Sequence, residues 1–198
     1  MLIHALTHKH ATMYIIASGD RYLLYDCLWQ DSYPVIRRGL KELGISYEQI
    51  CGLVVSHFHP DHGGCSEILR RHGVKMLVTA EQFSAISWLN DYFLQPKNDP
   101  TRQYLPLNTA ELVPYSCAAA TEFLHSQGIA AKVLPTPGHS EDSISLIVAT
   151  TAMVGDLPPQ ETAAAFGGSV ASSWQSLLDH GVKDYYHAHT GYNRLILC

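Results

Sequence analysis

What this chain is short of narrows its functions before any motif is considered. It contains no apolar run approaching the roughly 20 residues that a membrane-spanning helix needs, and the stretch from Ser145 to Ala149 with its neighbours falls far below that length. Positive charge is scarce as well, 13 Lys and Arg against 18 Asp and Glu for a net −5, whereas proteins that track a phosphate backbone carry a clustered basic excess. No membrane and no nucleic-acid partner are therefore expected. Residues Met1–His10 hold histidines where a signal peptide would need a continuous apolar stretch and a small-residue cleavage site. The cysteines, Cys27, Cys51, Cys65, Cys117 and Cys198, are odd in number, scattered and without a C-x-x-C pair. That usage points to reduced thiols and a cytoplasmic protein rather than a disulfide framework. Low-complexity segments and linkers are also missing, and 46% hydrophobic content excludes disorder, so residues 1–198 are read as one domain.

Histidine, by contrast, is abundant at 12 residues. The apolar runs Met13–Ala17 and Tyr22–Asp26, separated by Ser18-Gly19-Asp20-Arg21, predict a β-hairpin. Val35, Ile36, Leu40 and Leu43 repeat at helical spacing between Pro34 and Gly44. A strand over Gly52–Ser56, a helix over Glu67–Arg71 and a strand over Lys75–Thr79 follow, and Thr79 with Gln82 forms a capping box for a helix reaching about Trp88. Residues Asn90–Pro114 and Leu157–Ser173, interrupted by prolines and glycines, are expected to be irregular and to lie over a substrate. Between them, a helix over Tyr115–Gln127 precedes strands at Ala131–Leu134, Ser143–Ala149 and Ala152–Gly155. A helix ending at His180 and a strand over Asp184–His189 complete the pattern.

The histidines concentrate at element boundaries. Ser56-His57-Phe58-His59-Pro60-Asp61-His62 follows directly on an apolar strand, where a loop can aim several side chains at one point. Imidazole and carboxylate together suit zinc, iron or manganese. Further donors stand in Pro137-Gly138-His139, in Gly155-Asp156 and in His187-Ala188-His189. Because side chains alternate along a strand, His187 and His189 share a face, and facing does not choose between them. His72, His125 and His180 fall in last turns of predicted helices, where such side chains meet free carbonyls, and are read as structural. His4, His8 and His10 have no carboxylate or cysteine nearby, and Cys65 is read as a small buried thiol.

The order H-x-H-x-D-H, then P-G-H, then G-D, then a final histidine resembles the pattern of the metallo-β-lactamase superfamily, over nearly the whole chain. The resemblance implies an α/β protein built as a four-layer αββα sandwich, with a dinuclear metal site where the sheets meet. Carried over position by position, His57, His59 and His139 would hold one metal ion, Asp61, His62 and the last histidine the other, and Asp156 would bridge them. The family's last ligand lies where a strand gives way to a loop, which selects His189. Two divalent ions, zinc first and iron or manganese as substitutes, would activate a bridging hydroxide that Asp61 orients.

Departures from the pattern refine the expected substrate. An aspartate at position 156 points away from antibiotic cleavage and towards esters, thioesters, lactones and phosphodiesters. After His189 only 9 residues remain, too few for the helical domain that binds glutathione in glyoxalase II-like enzymes. No tyrosine closely follows Asp156, unlike acyl-homoserine lactonases, and the hairpin ends in Asp26-Cys27-Leu28 where the family usually has D-x-G. A small-molecule ester, thioester or lactone is thus the expected substrate, in a neutral pocket lined by Trp88, Tyr92, Phe93, Phe166 and Trp174. The alternative is a mononuclear iron dioxygenase or another redox role; His59 stands where the diiron flavoprotein domains have glutamate.

Overall fold

A computed structural model describes residues 2–195, so Cys198 lies outside the described residues. Two mixed sheets organise them. The first runs β1 (Leu2–His8), β2 (Ala11–Ser18), β3 (Arg21–Tyr25) and β4 (Ile50–Val54), antiparallel except for the parallel pair β3/β4. The second runs β5 (Ala131–Pro135), β6 (Ile144–Val148), β7 (Thr151–Met153), β8 (Asp184–His187) and β9 (Gly191–Arg194), with β7/β8 parallel. The helices are α1 (Tyr33–Glu42), α2 (Pro60–Gly63), α3 (Ser66–Arg71), α4 (Phe83–Leu94), α5 (Cys117–Ser126), α6 (Ala163–Phe166) and α7 (Gly168–Asp179).

Side-chain alternation sorts the apolar residues into layers. Tyr14, Ile16, Leu23 and Tyr25 of the first sheet meet Val133, Leu146, Val148 and Met153 of the second in a central core, which Ala120 and Leu124 of α5 also enter. On the outer face of the first sheet, Met13, Ile15 and Leu24 pack under Ile36 and Leu40 of α1, Leu69 of α3 and Ile86, Leu89 and Phe93 of α4. Beyond the second sheet, Ile147, Ala152 and Tyr185 pack under Val170, Trp174 and Leu177 of α7. The result is the expected αββα sandwich.

Several elements depart from the sequence expectation. β1 adds a strand ahead of the expected hairpin; its polar-apolar mixture reflects an edge strand with one partner. The stretch Lys75–Thr79 contributes only isolated bridges, Leu53 to Met76 and Thr79 to Tyr115. α4 runs on to Leu94, since Asn90 finds partners for its side chain in Leu107 and Tyr104 and so does not break the helix. α7 begins at Gly168 rather than after Ser173. The capping box does form its reciprocal half, the Thr79 N–H donating to Gln82 Oε1 at 3.1 Å, and the Gln82 amide nitrogen donates onward to the Val55 carbonyl.

Candidate metal centre

The site is assembled at the carboxyl ends of the two parallel strand pairs, the edge where chain reversals leave a crevice in such sheets. Beyond β4, residues 55–59 form the loop that carries His57 and His59, and Pro60 starts the short α2 that turns Asp61 and His62 back over it. From the second sheet come His139 after β5, Asp156 after β7 and His189 after β8. Gly155 makes this convergence possible: at φ 57° it occupies the left-handed region, and a Cβ there would lie 2.6 Å from the Ser56 side chain. The loops are pinned to one another as well, Asp142 accepting from the Phe58 N–H at 2.8 Å and from the Ser140 hydroxyl at 2.7 Å.

The structure brings all seven sequence-predicted residues together in three overlapping groups, His57/His59/His139, His57/His62/Asp156 and Asp61/His62/His189, each with donor atoms within 4.8 Å of one another. Asp156 Oδ2 occupies the centre, 3.4 Å from His62 Nε2, 3.7 Å from His139 Nε2 and 3.1 Å from His189 Nε2. His187 stays apart. Its side chain is buried and its Nδ1 accepts the backbone N–H of His189, so the strand's end points the later histidine into the cluster. Neither His4, His8 nor His10 joins a ligand group among the described residues.

Neighbouring groups fix the ring orientations. Asp26 Oδ2 lies 2.9 Å from His62 Nδ1, and Oδ1 accepts the Ser56 N–H at 2.6 Å. A proton on Nδ1 shared with this carboxylate leaves Nε2 of His62 to face the cluster. His189 is held in the same sense by the His10 carbonyl, 2.6 Å from its Nδ1. In the sequence Asp26 stands out only as a departure in the hairpin; its link to His62 joins residues 36 apart and carries no local signal. The same departure puts Leu28, rather than glycine, at φ 61°.

Electrostatics divide the cluster into neutral and charged halves. Burial pushes the pKa of His57 well down, reinforced by neighbouring His62, and burial likewise lowers His59 and His187. For His62 burial acts against charging, but the carboxylates of Asp26 and Asp156 outweigh it and hold the ring well above the usual histidine range. His189 is raised to about 9, chiefly by its hydrogen bond to Asp156. Burial works against the Asp156 carboxylate, yet its hydrogen bond with His189 and the adjacent His62 ring hold it far below the usual carboxylate range. The donor set fits a cation on a further ground: His57 Nε2, His62 Nε2 and Asp156 Oδ1 are buried and meet no hydrogen-bond partner, and atoms of this kind are costly unless something satisfies them.

The expected aromatic lining is only partly present. Phe93 and Trp174 belong to the outer cores, the latter donating its indole N–H to the Pro158 carbonyl. Trp88 does reach the site, half exposed with its ring centre 5.6 Å from that of His59, and Phe166 is exposed. Of the histidines read as structural, His72 stacks on Tyr47 with its Nε2 2.6 Å from the Tyr33 hydroxyl, and His180 Nδ1 lies 2.7 Å from the Ser176 carbonyl.

A family model described as the metallo-beta-lactamase superfamily matches residues 6–186. A hydroxyacylglutathione hydrolase of Shewanella pealeana is 23% identical over 171 residues, 85% of this chain and 51% of that protein, so the chain spans about half the length of that relative. Among solved structures, a metallo-beta-lactamase family protein from Thermus thermophilus superposes with a TM-score of 0.67 at 18% identity, covering 97% of this chain and 74% of the other. An archaeal metallo-beta-lactamase superfamily protein from Sulfolobus tokodaii gives a TM-score of 0.61 at 17% identity, covering 97% and 81%.

Proposed function

Because the chain belongs to the metallo-beta-lactamase superfamily, we propose that it is a hydrolase of small esters, thioesters or lactones, working with a pair of divalent metal ions, zinc first. One observation carries the reading: two ligand groups face each other across Asp156, with buried imidazole nitrogens turned inward and unpartnered. His57, His59 and His139 would hold one ion, Asp61, His62 and His189 the other, with Asp156 between them. Bound there, such ions would polarise a carbonyl and lower the pKa of water enough for hydroxide to form near neutral pH.

The chain's own residues do the rest. Asp61 Oδ2, 3.5 Å from His189 Nε2 and 3.7 Å from His62 Nε2, sits where it can accept a proton from an attacking water and orient it. Asp26 and the His10 carbonyl hold the rings of His62 and His189, so little reorganisation is needed. The buried side of the cluster, His57 and His62, excludes water; His139 and His189, 33% and 34% exposed, mark the side from which substrate enters. Similarity to a hydroxyacylglutathione hydrolase supports acyl hydrolysis. Free, buried Cys27, Cys51 and Cys65 support a reducing, cytoplasmic setting, and no helix among the described residues is long and apolar enough to cross a membrane.

The test is elemental analysis of the purified chain together with assays of its zinc- and manganese-loaded forms on aryl esters, lactones, thioesters and bis-aryl phosphodiesters. Two metal equivalents and turnover of a carboxylic substrate are expected. A single iron without hydrolysis, or a clear preference for the phosphodiesters, would overturn the reading.

A further inference from the structure

The open side of the cluster is not uniformly polar. Trp88 and Tyr92, one helical turn apart on α4, stack with ring centres 5.5 Å apart and planes 29° from parallel. Trp88 is 49% exposed, and its other aromatic neighbour is the His59 ring, 5.6 Å away. α4 is fixed beneath it by buried Ile86, Leu89 and Phe93, so the indole is offered on a rigid support. On the polar side of the entrance, each ion pair among the described residues joins a histidine to an aspartate, and neither Lys nor Arg takes part. Among the described residues, the only basic side chains paired with the cluster's aspartates are its own histidines, so no lysine or arginine in that network is set to fork onto a substrate carboxylate or phosphate. A flat apolar group beside the scissile bond would cover an exposed indole instead, and stacked rings gain energy beyond the area they bury.

We propose that Trp88, backed by Tyr92, is a specificity-determining platform that takes an aromatic group flanking the scissile carbonyl. This rests on the hydrolase reading and deepens it. The test compares methyl acetate with methyl phenylacetate, whose ring is on the acyl side, and with benzyl acetate, whose ring is on the alcohol side. One ring-bearing ester should exceed methyl acetate by about tenfold in kcat/KM, and Trp88→Ala should bring that ratio to about one at unchanged metal content, with Trp88→Phe keeping most of it. In parallel, titration with phenylacetate or benzyl alcohol should shift the protein's tryptophan emission to shorter wavelength, and Trp88→Phe should abolish the shift. Hydrolysis of all three esters without ring preference, or a preference that survives Trp88→Ala, overturns the platform. If neither these esters nor the aryl esters, lactones and thioesters are cleaved but the Trp88-dependent shift remains, the hydrolase reading fails and the platform stands; with neither hydrolysis nor shift, both fail.

Discussion

Asp26 is 1% exposed and makes no contact with the open face of the cluster, yet it accepts from the Ser56 backbone and lies within hydrogen-bond distance of both the Ser56 hydroxyl and His62 Nδ1. Replacing it with asparagine keeps the shape and removes the charge, so metal affinity should fall by about 10- to 100-fold while the fold persists, measured by chelator competition. His59→Ala should lose metal and activity together, since few other donors reach the same point; a variant that keeps full metal content and full turnover would refute the assignment. The two late histidines separate in the same assay. His189→Ala should lose one of two metal equivalents, whereas His187→Ala should retain both and show only the mild loss expected when the His189 N–H is left without its acceptor.

At the level of elements, the site depends on two loops touching. A methyl group at Gly155 would meet the Ser56 side chain at 2.6 Å in a backbone conformation that disfavours it, so Gly155→Ala should cost about 1–3 kcal/mol and lower the melting temperature by several degrees. Metal affinity should drop in parallel, because the shift needed to relieve the clash separates His57 from Asp156. Leu28 poses the opposite balance. Its left-handed φ costs about 1–2 kcal/mol, but its side chain is fully buried in the first-sheet core. Leu28→Gly would relieve the strain and leave a cavity worth about 2–5 kcal/mol, so the net effect should be destabilising, read by denaturant unfolding.

For the whole molecule, candidate ligands drawn from both sheets mean that a bound ion would stabilise the packing of one half on the other. Metal at a hundred times its Kd would add about 2.7 kcal/mol, and chelation should therefore lower the melting temperature by several degrees. Protons compete for the same atoms. His189, raised to about 9, is protonated at neutral pH in the metal-free protein and must release that proton to solvent before it can bind a metal. Affinity should accordingly rise by up to about tenfold per pH unit for each proton displaced, and the contribution of His189 should level off above about pH 9. Indicator competition between pH 6 and 9.5 measures this; affinity that falls with pH across that range would contradict it.

The positions of His57, His59, Asp61, His62, His139 and Asp156 were legible in the sequence because each falls in a short segment that follows an apolar strand, where spacing along the chain reveals both the donor and the turn that presents it. The sandwich was legible from the same order of residues through a family resemblance. The choice of His189 over His187 became geometric only with the strand's end in place, since both share a face and differ in whether β8 or the following turn carries them. Tertiary packing alone decided that Asp26 orients His62, that Gly155 must lack a side chain and that Trp88, not Phe93 or Trp174, borders the cluster. Contacts between elements distant along the chain leave no periodicity to read: an aromatic residue has the same local signature whether the helix turns it towards a core or a crevice.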